Sequence, residues 1–220
     1  MWFIVPQILS GADPLFISIM GSVFILVVTM YLAHGFSKQT HIALSATAIS
    51  LFLTALFSVF FVSLARLSGL GSEDAYSLAQ GFGQTINFQG LLLGGIIIGA
   101  LGVLDDVTTT QAATIHELAQ DNPKSTFESL MRKGMAVGRE HIASVVNTLV
   151  LAYAGASIGI FIFLHLGLTQ NSQPLWVMLN SEVIMEEVIR TLAGSLGLVL
   201  AVPITTILAA FFAKNEIKIT

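Results

Sequence analysis

The chain has no cysteine. That excludes disulfides, thiolate metal sites and thiol nucleophiles. It is also poor in charge. Asp, Glu, Lys and Arg make up 10% of its residues, against roughly 25% in an ordinary soluble domain. A compact soluble protein of 220 residues needs a mostly polar face toward water, and this chain lacks the side chains for one. A soluble globular enzyme, a disordered chain and a basic nucleic-acid binder are all excluded on that ground. The net charge of −4 argues against a polybasic lipid-binding surface. The first residues carry no positive segment and no small-residue cleavage site, so no removed signal peptide is expected.

What the chain has instead is apolar length. Hydrophobic residues make up 55% of it. A membrane-spanning helix needs about 20 mostly apolar residues, and five stretches without Asp, Glu, Lys or Arg approach that: 15–32, 42–65, 88–104, 142–164 and 191–213. Strands of a membrane barrel would be shorter and would alternate, which these do not. The expected fold is an all-α integral membrane protein of about five transmembrane helices, with residues 1–220 as a single transmembrane domain. Residues 1–12 are too short to span and are expected at the interface. Residues 174–190 read as an interfacial or re-entrant helix before span five. In segment 105–141, a helix should run on from span three to the stop at Asp121-Asn122-Pro123. Ser125 should then cap a second helix, with Glu128 completing the box, giving a helical hairpin between spans three and four.

Basic residues set the orientation. With the amino terminus outside, Lys38, Lys124, Arg132, Lys133, Arg139, Lys214 and Lys218 fall on the inner side, and only Arg66 and Arg190 fall outside. The expected topology is N-out and C-in, with the hairpin cytoplasmic.

Few residues suggest chemistry. Asp105 and Asp106 end the glycine-rich third span, near the inner interface, where two adjacent carboxylates can take up a proton or a cation. Arg139 lies on the same side and can pair with Asp105. Asn147 sits within span four and needs a partner across a helix interface. Glu182, Glu186 and Arg190 share one helix face, with Glu186 and Arg190 in the favourable ion-pair order and Glu187 off that face. Pro203 favours a kink in span five. Gly94, Gly95 and Gly99 in span three, and Gly155 and Gly159 in span four, have the small-residue spacing of close helix packing. His116-Glu117 is followed by Gln120 where a zinc-protease motif needs histidine, so no metal site is expected. There is no phosphate-binding glycine loop and no serine-hydrolase elbow. The chain is expected not to be an enzyme, to need no cofactor and to bind no nucleic acid.

Four stretches resemble the YibE/F family of bacterial multi-pass membrane proteins. They are Gly102-Val103-Leu104-Asp105-Asp106-Val107, the stretch from Asp121-Asn122-Pro123 to Gly134-Met135-Ala136-Val137-Gly138-Arg139-Glu140, Asn147 to Gly155, and Asn180-Ser181-Glu182 through Arg190 to Pro203-Ile204-Thr205. The match runs over about residues 85–212. The resemblance implies residence in the bacterial cytoplasmic membrane and makes Asp106 the family's aspartate, with Asp105 its more variable neighbour. Many family members carry an extra region before the spans, and a short form resembles one half of a pair with a longer relative. Two functions follow as expectations. One is a permease or export component, proton- or cation-coupled, with Asp106, Asp105 and Asn147 near the coupling site, Asp106→Asn expected to abolish activity, and Glu186 with Arg190 gating the outer mouth. The other is a structural or assembly subunit. Its expected partners are the lipid bilayer and either a homo-oligomer or a longer YibE/F-like membrane protein.

Overall fold

The computed structural model describes residues 2–82, 86–169 and 174–217, with side chains described as far as residue 213 at the carboxyl end. The side chain of Lys214, and Lys218 altogether, lie outside the described residues. Among the described residues all regular structure is helical: α1 (Ile4–Leu9), α2 (Pro14–His34), α3 (Lys38–Leu64), α4 (Glu73–Phe82), α5 (Phe88–Asp121), α6 (Phe127–Ala156), α7 (Ile158–Thr169), α8 (Leu175–Leu179) and α9 (Glu182–Ile217). Four of these, α2, α3, α5 and α9, are long and apolar enough to cross a membrane, and α6 with α7 makes a fifth if that bent pair is one span. Phe24, Leu32, Phe52 and Phe60 are largely exposed. Such a bare apolar surface suits lipid rather than water.

The helices start where capping chemistry allows. Asp13 accepts from the Phe16 amide ahead of Pro14, Ser37 from the Thr40 amide, and Asn87 from the Gly90 amide. Helix α6 starts one residue later than expected. Thr126, rather than Ser125, is its cap and accepts from the Ser129 amide. In the expected box Glu128 was the third helical residue; that place belongs to Ser129.

Helix α5 is the axis of the bundle. It packs against α2, α3, α6 and α9, and α3 and α9 pack on each other. Its 34 residues make a rod of about 50 Å, against a hydrocarbon layer of about 30 Å. It therefore continues beyond the membrane without a break, as expected for the hairpin, and ends at Asn122. The centre is filled by Leu26, Met30, Ile97, Leu104, Leu198 and Val202. A second apolar cluster of Val62, Leu67, Leu92, Leu93, Ile96 and Ile189 closes the end where α9 begins.

Two expected elements differ. Span four is not one straight helix: α6 stops at Ala156, Ser157 is its cap, and α7 departs at 59°. The glycines flanking Ser157 in this β-branched and aromatic stretch weaken the helix there. The expected interfacial helix before span five is reduced to the short α8. Residues Glu182 to Arg190 instead form the first turns of α9, which runs on through Pro203. The break falls at Asn180 and Ser181, whose side chains compete with helical hydrogen bonding. Helix α1 does not lie free: Ile4 and Ile8 are buried against Ile17 of α2.

Candidate functional site

The two ends of the bundle carry different polar chemistry. At the end where α9 begins, loop 65–72 is fastened to that helix by two carboxylates. One oxygen of Glu182 accepts from the Ser68 hydroxyl (2.7 Å), the Gly69 amide (2.9 Å) and the Ser68 amide. Glu186 is buried and accepts from the Gly71 amide at 2.9 Å. Two glycines make this approach possible. Gly69 has φ +85° and lies against the Phe88 carbonyl, and a Cβ on Gly71 would collide with the Glu186 carboxylate. Gln89 adds a bond from its side-chain amide to the Leu67 carbonyl at 2.8 Å. The expected Glu186–Arg190 ion pair is replaced by Arg190 with Glu187, at 3.3 Å. Glu186 turns inward to the loop amide, which leaves the partly exposed Glu187 as the partner one turn away. Arg190 also lies over Gly95, whose missing side chain leaves it room.

At the opposite end, where α2 gives way to α3, Asp105 and Asp106 part company. Asp106 is exposed. Asp105 is half-buried, and its Oδ1 is fully shielded with no hydrogen-bond partner. Thr109, one turn along α5, has a shielded hydroxyl that faces this carboxylate. Thr109 lines a polar cavity of about 200 Å³ together with Met30, His34, Ser37, Gln39, Thr40 and Ala43. His34 is the basic side chain on the wall of that cavity. A shielded carboxylate with only a hydroxyl beside it is costly unless a proton, a cation or water meets it. Arg139 is exposed on α6 and makes no ion pair with Asp105.

Asn147 faces outward from α6 and makes no hydrogen bond with the described residues. Gly99, Gly155 and Gly159 have open space where a Cβ would stand, whereas Gly94 lies tightly against Ser18 of α2. The bundle's closest approaches also use glycines that the sequence reading passed over. Gly134 of α6 meets Ile115 and Thr206, and Gly138 meets Val202 and the Gln111 amide. Gly197 of α9 meets Thr54 of α3. Gly134 and Gly138 are themselves four apart, the spacing sought in the spans, but they lie in a polar stretch.

Polar cross-links were missed as well. Gln111 is buried and donates to the Thr206 hydroxyl (2.7 Å) and the Gly134 carbonyl (2.9 Å), tying α5 to α9 and α6. Thr47 and Thr108 bond between α3 and α5. Thr40, Thr47, Ser50, Thr54 and Ser58 are all buried along one face of α3. Their spacing of three, four and seven was the available signal, masked because hydroxyls in an apolar run do not break its hydropathy.

Among comparisons with known proteins, the model of the YibE/F-like protein family matches residues 1–215. That reaches well ahead of the expected 85–212 and takes in α1 to α4. No curated protein and no solved structure matches the chain.

Proposed function

This chain belongs to the YibE/F-like protein family, and we propose that it is a membrane permease or export component whose ion-coupling carboxylate is Asp105. The observation that carries the reading is the shielded Oδ1 of Asp105, next to the Thr109 hydroxyl and to the cavity that His34 and Thr109 line. A carboxylate so placed binds a proton or a small cation and releases it when the cavity opens or closes. Asp106, on the next helix position, is exposed to solvent or headgroups. The coupled ion is a proton or a monovalent cation.

In this reading the His34 end of the bundle faces the cytoplasm, which puts the amino terminus outside and the α5–α6 hairpin inside, in a bacterial cytoplasmic membrane. Glu182 and Glu186 then hold the outer loop over an apolar plug of Val62, Leu92, Leu93 and Ile96. The resting state is closed toward the outside. The protein carries out no bond chemistry of its own and works without a cofactor.

The test is reconstitution in liposomes with a trapped pH-sensitive dye under an imposed gradient. Wild type should dissipate the gradient faster than empty liposomes, and Asp105→Asn should not. Equal rates for the two proteins would remove Asp105 from coupling.

A second reading has its own observation. Asn147 stands outward on a helix that enters the membrane, without a partner among the described residues, and an amide facing lipid is unfavourable. As an assembly subunit, the chain would cover this face with a second copy or with a longer YibE/F-like membrane protein. Native mass spectrometry after mild-detergent extraction decides it. A fixed-stoichiometry complex that Asn147→Leu disrupts supports this reading, and a monomer in both cases dismisses it.

A further inference from the structure

Among the described residues, one buried carboxyl group has no part in the ion coupling given to Asp105. Glu186 is 5% exposed, and its surroundings differ from those of Glu182, one turn earlier on α9. Glu182 is partly exposed and has three donors on one oxygen, which suits an ionised carboxylate. The donor to Glu186 is the Gly71 amide, on Oε1. The backbone of Gly71 lies directly on this group, so that a Cβ there would stand 2.7 Å from the carboxyl carbon. One turn further along α9, Ile189 joins the apolar cluster of Leu92 and Leu93, to which loop 65–72 adds Leu67.

The charges around Glu186 do not repay burying another. On its own helix are Glu182 and Glu187, both acidic, and Arg190, which is paired with Glu187. The loop brings Arg66, and α4 opens with Glu73 and Asp74; all three are exposed. The outer ends of α3 and α5 carry no ionisable side chain. A shielded carboxylate with a single amide beside it is costly, and the neutral acid fits the same place at much lower cost. With Oε1 taken by the Gly71 amide, the proton sits on Oε2. Ionisation favours any state in which water reaches the group. The loop is also poised to leave: Arg66 has φ +53°, a left-handed conformation that a residue with a side chain adopts at a cost.

The helix register sets Glu186 against Asp105. Arg190 lies over Gly95, and Thr206 bonds Gln111, so α9 and α5 run side by side and Glu186 is level with Leu91. Asp105 is about 20 Å further along the axis at 1.5 Å per residue. The two carboxyl groups thus stand at opposite ends of the bundle. We propose that Glu186 is a second proton-binding group of the transport cycle, on the outer side: proton uptake there closes loop 65–72 over the mouth, and proton release opens it. Its place in a transport cycle rests on the permease reading above; the proton-dependent closure does not.

The chain has no cysteine, so a single introduced one reports without background. Leu67→Cys is placed under the loop, where Leu67 is 5% exposed. Leu92→Cys, in the same cluster, is the second reporter. Reaction with a water-soluble maleimide is timed in mild detergent at acid and at alkaline pH, about 5 and about 8. Each rate is divided by that of Glu186→Gln in the same cysteine background at the same pH, which cancels the chemistry of the thiol; the glutamine stands in for the neutral acid. The ratio should be near one in acid and several-fold in alkali. Glu187→Gln leaves the buried group in place and should keep that pH dependence. Gly71→Ala, whose Cβ meets the carboxyl group, should react fast at both pH values. A ratio equal at the two pH values, or one that rises on acidification, would overturn the proposal. So would loss of the pH dependence in Glu187→Gln. Asp105→Asn separates the two readings. A flat ratio with dye flux lost in Asp105→Asn removes the Glu186 switch and leaves the Asp105 reading standing. The expected ratios with flux unaltered in Asp105→Asn support the switch and remove Asp105.

Discussion

Replacing Glu182 by alanine should cost measurable stability, because one carboxylate oxygen holds three donors of loop 65–72. Hydrogen bonds to a charged group are worth about 1.5–3 kcal/mol each when shielded. Here the Ser68 amide and hydroxyl are at an exposed rim, and the Gly69 amide is partly buried. Water replaces much of the first two bonds when the carboxylate is removed. One bond counted in full and a fraction of the others gives about 2–3 kcal/mol. For a chain of this size that corresponds to a fall in melting temperature of about 5–10 °C. Glu182→Gln keeps an acceptor oxygen but loses the charge, and should show about half the effect. The control is Glu187→Ala. Glu187 is in an ion pair with Arg190 in which both side chains are about one-third exposed, and such pairs contribute about 0–1 kcal/mol. The assay is thermal unfolding in mild detergent, read by tryptophan fluorescence and by aggregation. If Glu182→Ala melts with Glu187→Ala, the carboxylate does not fasten the loop and the closed outer end loses its physical basis.

Two further outcomes follow from the packing. Gly138→Leu should loosen α6 from α5 and α9, since any Cβ there meets Val202 and Gln111, with an overpacking cost of about 1–3 kcal/mol; Gly155→Leu, with open space around it, should melt like wild type. Gln111→Leu removes two interhelical bonds, which at about 0.6–1.7 kcal/mol apiece should cost about 1–3 kcal/mol in the same thermal assay.

The spans were legible because hydropathy alone marks a helix that must satisfy its backbone in lipid. The unbroken run of α5 past Asp105 was legible too, because Val107 to Gln120 contains neither glycine nor proline. The bend at Ser157 was not, since an apolar stretch reads the same whether straight or broken. The separation of Asp105 from Asp106 needed the position of α2. Consecutive residues point about 100° apart, but only the place of His34 and its cavity says which of them is shielded. The Glu186–Arg190 pairing followed a helix-surface rule, and the loop glycines Gly69 and Gly71 displaced it by bringing backbone amides to both glutamates. Gln111 escaped attention because a single amide in a long helix carries no pattern.

The most direct measurement sets Asp105→Asn beside Asp106→Asn in liposomes with a trapped pH dye, under proton and sodium gradients in turn. The account predicts ion flux abolished in Asp105→Asn, near wild-type in Asp106→Asn and partly restored in Asp105→Glu. Flux lost in Asp106→Asn and retained in Asp105→Asn would contradict it.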